Sequence, residues 1–287
     1  MRTSLRRAPA RVRINGAASA ALRAPLDFPR RPGRVLAAFS LGVYVEVRAE
    51  AEPYVIAVLD SAATRLPNAV VIGGGTAITA DVGDEAAVGD GRLLVGDAEI
   101  RVRRWWDPAP VVAPVAPARL AAAIEIMAAV CDRSPRRPGL GDHSSALRLA
   151  AACAGDDLLG ATVAAEELVG LGPGLTPSGD DMLAGLLLGL RALGRAAGAP
   201  RAARLADWLG AAVTFDARAR TTAISATLLT CAARGESCAE AAAVLHAIPG
   251  RAPLLPALHR LLHVGHTSGA DLAWGLLTAA RAVRALA

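Results

Sequence analysis

Two regimes of hydrophobic spacing divide this chain. Between Arg34 and about Arg104 the apolar residues come in short runs broken by turn residues: Val43 to Val47, Tyr54 to Leu59, Ala69 to Ile72, Arg92 to Val95 and Glu99 to Arg103. Their alternation and β-branched content predict strands. Gly96-Asp97 reads as a tight hairpin turn, and Gly73-Gly74-Gly75 as a further break. Short strands at close spacing, with no helix pattern between them, predict a small antiparallel barrel or sandwich. After Pro117, placed as a first-turn proline, the spacing becomes helical, with Ala/Leu-rich segments near 117–131, 143–154, 156–169, 178–197, 200–214, 216–234, 236–247, 253–264 and 268–286. The expectation is an α+β protein: a β-rich front domain (33–108), a Pro-rich linker (109–116) and an all-α domain (117–287). Residues 1–32 read as an Arg-rich tail, a frayed or mis-started N-terminus of transit-peptide-like composition without the apolar core of a secretion signal.

Composition narrows the chemistry. The chain has 287 residues, 53% of them hydrophobic, which excludes a disordered protein, while only 3% aromatic content requires a core of Ala, Leu and Val. The net charge is +5, yet there is no lysine, so every cation is an arginine. A Walker P-loop, a kinase core, a pyridoxal Schiff base and a lysine general base are thereby excluded. The basic excess is concentrated in the first thirty-odd residues and stacking aromatics are few, which argues against nucleic acid. Cys131, Cys153, Cys231 and Cys238 form no C-x-x-C pair and read as reduced, mostly buried thiols of a cytoplasmic protein. The apolar run Met182 to Leu190 is too short to span a membrane, so no membrane partner is expected.

The most informative segment runs from Gly170 to Gly185, GLGPGLTPSGDDMLAG. Its glycines and prolines make a loop, and Ser178 with Asp181 three residues later resembles a capping box opening an apolar helix. Such a helix start presents unpaired N–H groups suited to a carboxylate or phosphate, although an ordinary capped helix has the same pattern. The pattern S-G-x-D-x-x-x-G-L-L then recurs: Ser178 to Leu187 matches Ser268 to Leu277, an offset of 268 − 178 = 90 positions. Mid-helix glycine costs about 1 kcal/mol relative to alanine, so its repetition predicts close helix-helix approach. If both N-termini lie on one side, Ser178, Asp181, Ser268 and Asp271 converge. A third segment, Arg220 to Ser225, sets Arg220, Thr221 and Ser225 at helical spacings, Arg220 being able either to grip a ligand carboxylate or to pair with Asp180 or Asp181.

The strings at 170–181, at 221–225 (TTAIS) and at 265–271 (GHTSGAD) resemble the AllH family, subunits of oxamate carbamoyltransferase in allantoin degradation, over roughly residues 33–287. The resemblance implies partner subunits of AllF and AllG type and transfer of a carbamoyl group between oxalurate, phosphate and oxamate. A non-catalytic subunit that binds a small carboxylate, or a scaffold, is the alternative, because there is no Ser-His-Asp set and no G-x-S-x-G elbow. Carbamoyl transfer needs anion clamps and oxyanion donors and demands no cofactor or metal. Asp180 and Arg220 are the candidate catalytic residues. Asp180 is singled out because Ala270 stands in its place in the second copy, whereas Asp181 and Asp271 are expected to serve as caps. Candidate binding residues for a small anion of the oxamate or carbamoyl phosphate class are Gly174, Thr176, Ser178, Gly179, Asp181, Thr221, Ser225, Thr267, Ser268, Gly269 and Asp271. His259, His263 and His266 lack the glutamate of a zinc-protease motif and read as a helix end, His143 as a helix start, and Trp105-Trp106 as packing at the domain junction.

Overall fold

The computed structural model describes residues 11–48, 54–76 and 78–287. The chain divides into two compact units, Met1–Asp107 and Pro108–Ala287.

The first unit is a closed eight-stranded barrel. Its strands are β1 (Val12–Ser19), β2 (Arg31–Phe39), β3 (Gly42–Val47), β4 (Tyr54–Asp60), β5 (Ala69–Ile72), β6 (Glu85–Gly89), β7 (Arg92–Val95) and β8 (Ala98–Trp106), with the short helix α1 (Arg23–Asp27) after β1. Around the barrel the order is β1-β5-β4-β3-β2-β6-β7-β8, closed by pairing of β1 with β8. Most neighbours are antiparallel, but β1 with β8 and β4 with β5 are parallel. Val43, Val45 and Val47 of β3 alternate inward to meet Ile56, Val58, Leu93 and Ile100 in the core.

Residues 12–32 therefore need a correction: they build β1, α1 and the start of β2, while residues 1–10 lie outside the described part. The arginine that suggested a tail sits on the outward face, where Arg13 lies 3.8 Å from Glu99. The inward face carries small residues because the barrel is narrow: a Cβ at Gly16 would stand 3.0 Å from a Val70 methyl. β1, β2 and β6 thus lack the β-branched runs by which the other strands are recognised. Trp105 and Trp106 are strand residues of β8, with the guanidinium carbons of Arg23 and Arg65 at 4.6 and 5.3 Å from their respective ring centroids.

The second unit is all helical: α2 (Pro117–Arg133), α3 (Ser144–Ala154), α4 (Leu158–Leu168), α5 (Ser178–Ala196), α6 (Pro200–Phe215), α7 (Ala217–Arg220), α8 (Ala223–Arg234), α9 (Ala239–Ala247), α10 (Leu254–Leu262) and α11 (Ser268–Leu286). The Pro-rich stretch is tied to this unit at both ends, Ser237 N–H donating to the Pro108 carbonyl and Val115 N–H to that of Ala196. The helix expected over 216–234 is broken. Thr221 and Thr222 are extended, and the Thr222 hydroxyl caps α8 by accepting from Ser225 N–H at 3.0 Å. Every residue of α5 from Ser178 to Leu190 is buried, which makes it the central helix of the unit.

Candidate functional site

Helices α5 and α11 cross near their N-termini, glycine against backbone. A Cβ at Gly185 would stand 2.3 Å from the Leu272 carbonyl oxygen, and one at Gly275 would stand 2.2 Å from that of Met182. The offset of 90 positions that relates Gly185 to Gly275 also relates Met182 to Leu272, so each helix seats its glycine on the same point of the other. The mid-helix glycines exist for this contact, which no larger residue permits.

The same exchange governs the polar residues above the crossing. Asp181 lies beside the hydroxyls of Ser268 and Thr176, while Asp271 lies beside those of Ser178 and Thr267. The Ser-Asp pairs therefore do not close capping boxes within one helix. Pro177 and Thr267 occupy the cap positions without a side-chain cap bond, and serine of one copy faces aspartate of the other. Gly139 N–H donates to Asp271 Oδ1 at 2.8 Å, and the Thr176 and Ser268 hydroxyls stand 3.1 Å apart, which joins the glycine-rich loop to the second helix start.

These two carboxylates are poorly satisfied. Asp181 is 7% exposed and Asp271 fully buried, and Oδ2 of each has no hydrogen-bond partner among the described residues. Burial pushes the Asp181 carboxyl up to about 7, against the pull of Ser268 and Thr176 and with the help of the Asp271 and Asp180 charges. Burial likewise raises Asp271, against the Gly139 amide and the Ser178 and Thr267 hydroxyls. Two helix N-termini partly offset the negative charge.

Asp180 has a different surrounding from the one expected. Its Oδ1 accepts from Gly170 N–H at 2.8 Å, and its Oδ2 accepts from Ser225 Oγ at 2.7 Å and from Thr221 Oγ1. It is 1% exposed and saturated with donors, so Asp180 clamps the glycine-rich loop to α8 and has no free oxygen aimed at a ligand. Thr221 and Ser225 belong to that clamp. Thr222 adds to it by donating to the Leu175 carbonyl at 2.5 Å. Arg220 also points elsewhere: its guanidinium binds the Glu166 carbonyl at the end of α4 and lies 3.4 Å from Asp216. Neither alternative considered for it, a ligand clamp or a bridge to Asp180 or Asp181, describes this arrangement. The backbone of Arg220 matters as well, because a Cβ at Gly170, whose φ is +75°, would stand 2.1 Å from its carbonyl oxygen.

Gly179 and Gly269 are buried at equivalent places, their amides donating to the Leu171 and Val264 carbonyls at 2.9 and 3.0 Å. Gly174, in contrast, lies in the exposed part of the loop, Gly172–Leu175, whereas Thr176, Thr267 and Ser268 are half-buried. Gly139 went unnoticed in sequence, its neighbourhood being an unremarkable Pro/Gly turn. His143 opens α3 through its own Nδ1, and His263 Nδ1 lies 2.7 Å from the His259 carbonyl at the end of α10. Among the described residues no group of three or more His, Cys, Asp and Glu is arranged to hold a metal ion.

This doubled helix start, with its glycine loop, is the part of the chain that comparison recognises. Residues 168–280 match the family model of oxamate carbamoyltransferase subunit AllH. The AllH match takes in α5 whole and all but the end of α11, together with Asp180, Asp181, Thr221, Ser225, Ser268 and Asp271. The barrel and Gly139 lie outside it. No curated protein and no solved structure matches the chain. Among the described residues, no helix is long and apolar enough to cross a membrane.

Proposed function

We propose that this chain is a subunit of a cytoplasmic carbamoyltransferase assembly of the oxamate type, and that it holds the amide end of the substrate at the Asp181/Asp271 pair. The observation that carries the reading is the pair of buried carboxylate oxygens without partners, inside the span that matches AllH. A buried acceptor left unmade costs about 1–3 kcal/mol, which a bound N–H donor recovers. Oxamate, oxalurate and carbamoyl phosphate each carry an NH2 group able to donate in this way. Their anionic ends fall to the hydroxyls of Thr176, Thr267 and Ser268 in the positive field at the starts of α5 and α11, approached past Gly174.

In transfer from oxalurate to phosphate, a phosphate oxygen bonds to the carbamoyl carbon, the carbon bond to the oxamate nitrogen breaks, and that nitrogen takes up a proton. A carboxyl near 7, as burial makes Asp181, is matched to giving it. The candidate role in proton transfer thus passes from Asp180 to Asp181. Partner subunits of AllF and AllG type complete the site in this reading. No metal, cofactor, nucleic acid or membrane enters it.

A second reading, a scaffold subunit, is favoured by one observation: the two Ser-Asp exchanges also act as struts between α5 and α11. Calorimetry of oxamate binding and a carbamoyl phosphate assay with the co-purified partner subunits separate the two. Loss of both signals in Asp181→Asn and Asp271→Asn, with the assembly intact, supports the substrate site. Unchanged binding and turnover in both variants leaves the scaffold.

A further inference from the structure

Away from the carboxylate pair, the end of α2, the turn that follows it and one face of α10 enclose a cavity of about 410 Å3. This volume lies within the range of small-molecule sites, roughly 300–1,000 Å3. Its floor is apolar, from Val130, Leu255 and Leu262, and Leu255 is half exposed in it. Its other walls include Arg133, Arg136 and His259, and none of the lining residues is acidic.

Two of the basic groups around it are spoken for. Arg136 donates to the Gly265 carbonyl at 2.7 Å, and His263 meets the His259 carbonyl across the last turn of α10. Arg133 and the His259 ring have no hydrogen-bonding or ionic partner among the described residues. Apolar floor and uncommitted basic groups together define an amphipathic ligand whose charge is negative. A neutral apolar molecule would leave Arg133 unused, and a small inorganic anion would leave the floor wet.

We propose that this cavity binds an organic carboxylate carried on an apolar body, the carboxylate held by the planar fork of Arg133 with His259 beside it and the body lying on Val130, Leu255 and Leu262. The wall it touches continues to Gly139, whose amide holds Asp271, so the site lies one short segment from the carboxylate pair without sharing a residue with it.

The test is calorimetry of the full chain with 4-phenylbutyrate, 4-phenylbutanol and acetate as probes. Phenylbutyrate is expected to bind at least about tenfold more tightly than the alcohol, a difference of about 1.4 kcal/mol, and acetate to give no heat. The double variant R133Q/H259Q and the separate variant L255D, all at exposed positions, are expected to lose at least about tenfold in affinity with unchanged melting temperature. Asp181→Asn is expected to leave phenylbutyrate binding unchanged, which separates this site from the one proposed above. Equal affinity for acid and alcohol, or binding indifferent to all three cavity substitutions, overturns the proposal. So does a dimer, seen by ultracentrifugation, that excludes phenylbutyrate and is broken by L255D.

Discussion

Gly275 rests on the carbonyl of Met182, with room for a hydrogen and nothing larger. Its counterpart Gly185 rests on Leu272 in the same way, so two substitutions ninety positions apart probe one contact. Gly185→Ala and Gly275→Ala are each expected to lower stability by about 1–3 kcal/mol through overpacking. Gly141→Ala, where a Cβ meets only Pro138 at ordinary contact distance, is the matched control, expected within about 0.5 kcal/mol of the parent. Urea unfolding of the three variants reads the difference.

Asp181 sets a pH dependence. Its carboxyl rises from an ordinary 3.8 to about 7 in the folded chain, so between those values the native state holds a proton that the unfolded state has released. Its contribution is therefore undiminished below about pH 4, falls as pH rises toward 7 and levels off above. Asp181→Asn is expected to flatten this part of the profile and to exceed the parent in stability at pH 8 by a few kcal/mol. Denaturant midpoints at pH 5, 6, 7 and 8 check both statements.

Asp180→Asn is expected to act on stability rather than on ligand contact. The substitution halves the acceptor capacity that Gly170, Thr221 and Ser225 use, at a cost of about 2–4 kcal/mol for a buried network. Oxamate affinity of the folded fraction, measured below the melting range, should match that of the parent.

Removal of the Arg220 side chain frees the end of α4. Arg220→Ala is expected to cost about 1–2 kcal/mol and to speed amide exchange at Leu168 to Leu171 before any other part of the unit.

The thiols provide a fifth check. Burial pushes Cys153 and Cys238 up to about 12 and Cys131 to about 11, so a thiol reagent at pH 8 is expected to label the native chain slowly and the denatured chain at all four cysteines.

The doubled S-G-x-D-x-x-x-G helix start was legible in sequence because glycine in a helix has few uses, and close approach is the chief one. Which serine serves which aspartate was not. Spacing of i and i+3 describes a capping box within one copy equally well, and only three dimensions show the copies exchanging partners. The same ambiguity hid the surroundings of Asp180 and Asp181. The residue without a counterpart in the second copy proved to be the clamp, and the repeated residue keeps the unpartnered oxygen. β1 is hard to read for a different reason: a narrow barrel asks for Gly16 and Ala18 on its inner face, so the β-branched alternation begun by Val12 and Ile14 stops after three residues.

The exchanged pairing also orders events during synthesis. Asp181 leaves the ribosome about ninety residues before Asp271, an interval on the order of 5–20 s at usual elongation rates. Throughout it α5, which the finished protein buries from Ser178 to Leu190, has a glycine-notched face with nothing seated in it. Neither half of the carboxylate pair has its serine until α11 arrives, so a nascent chain stalled between the two copies is an aggregation hazard and holds no site.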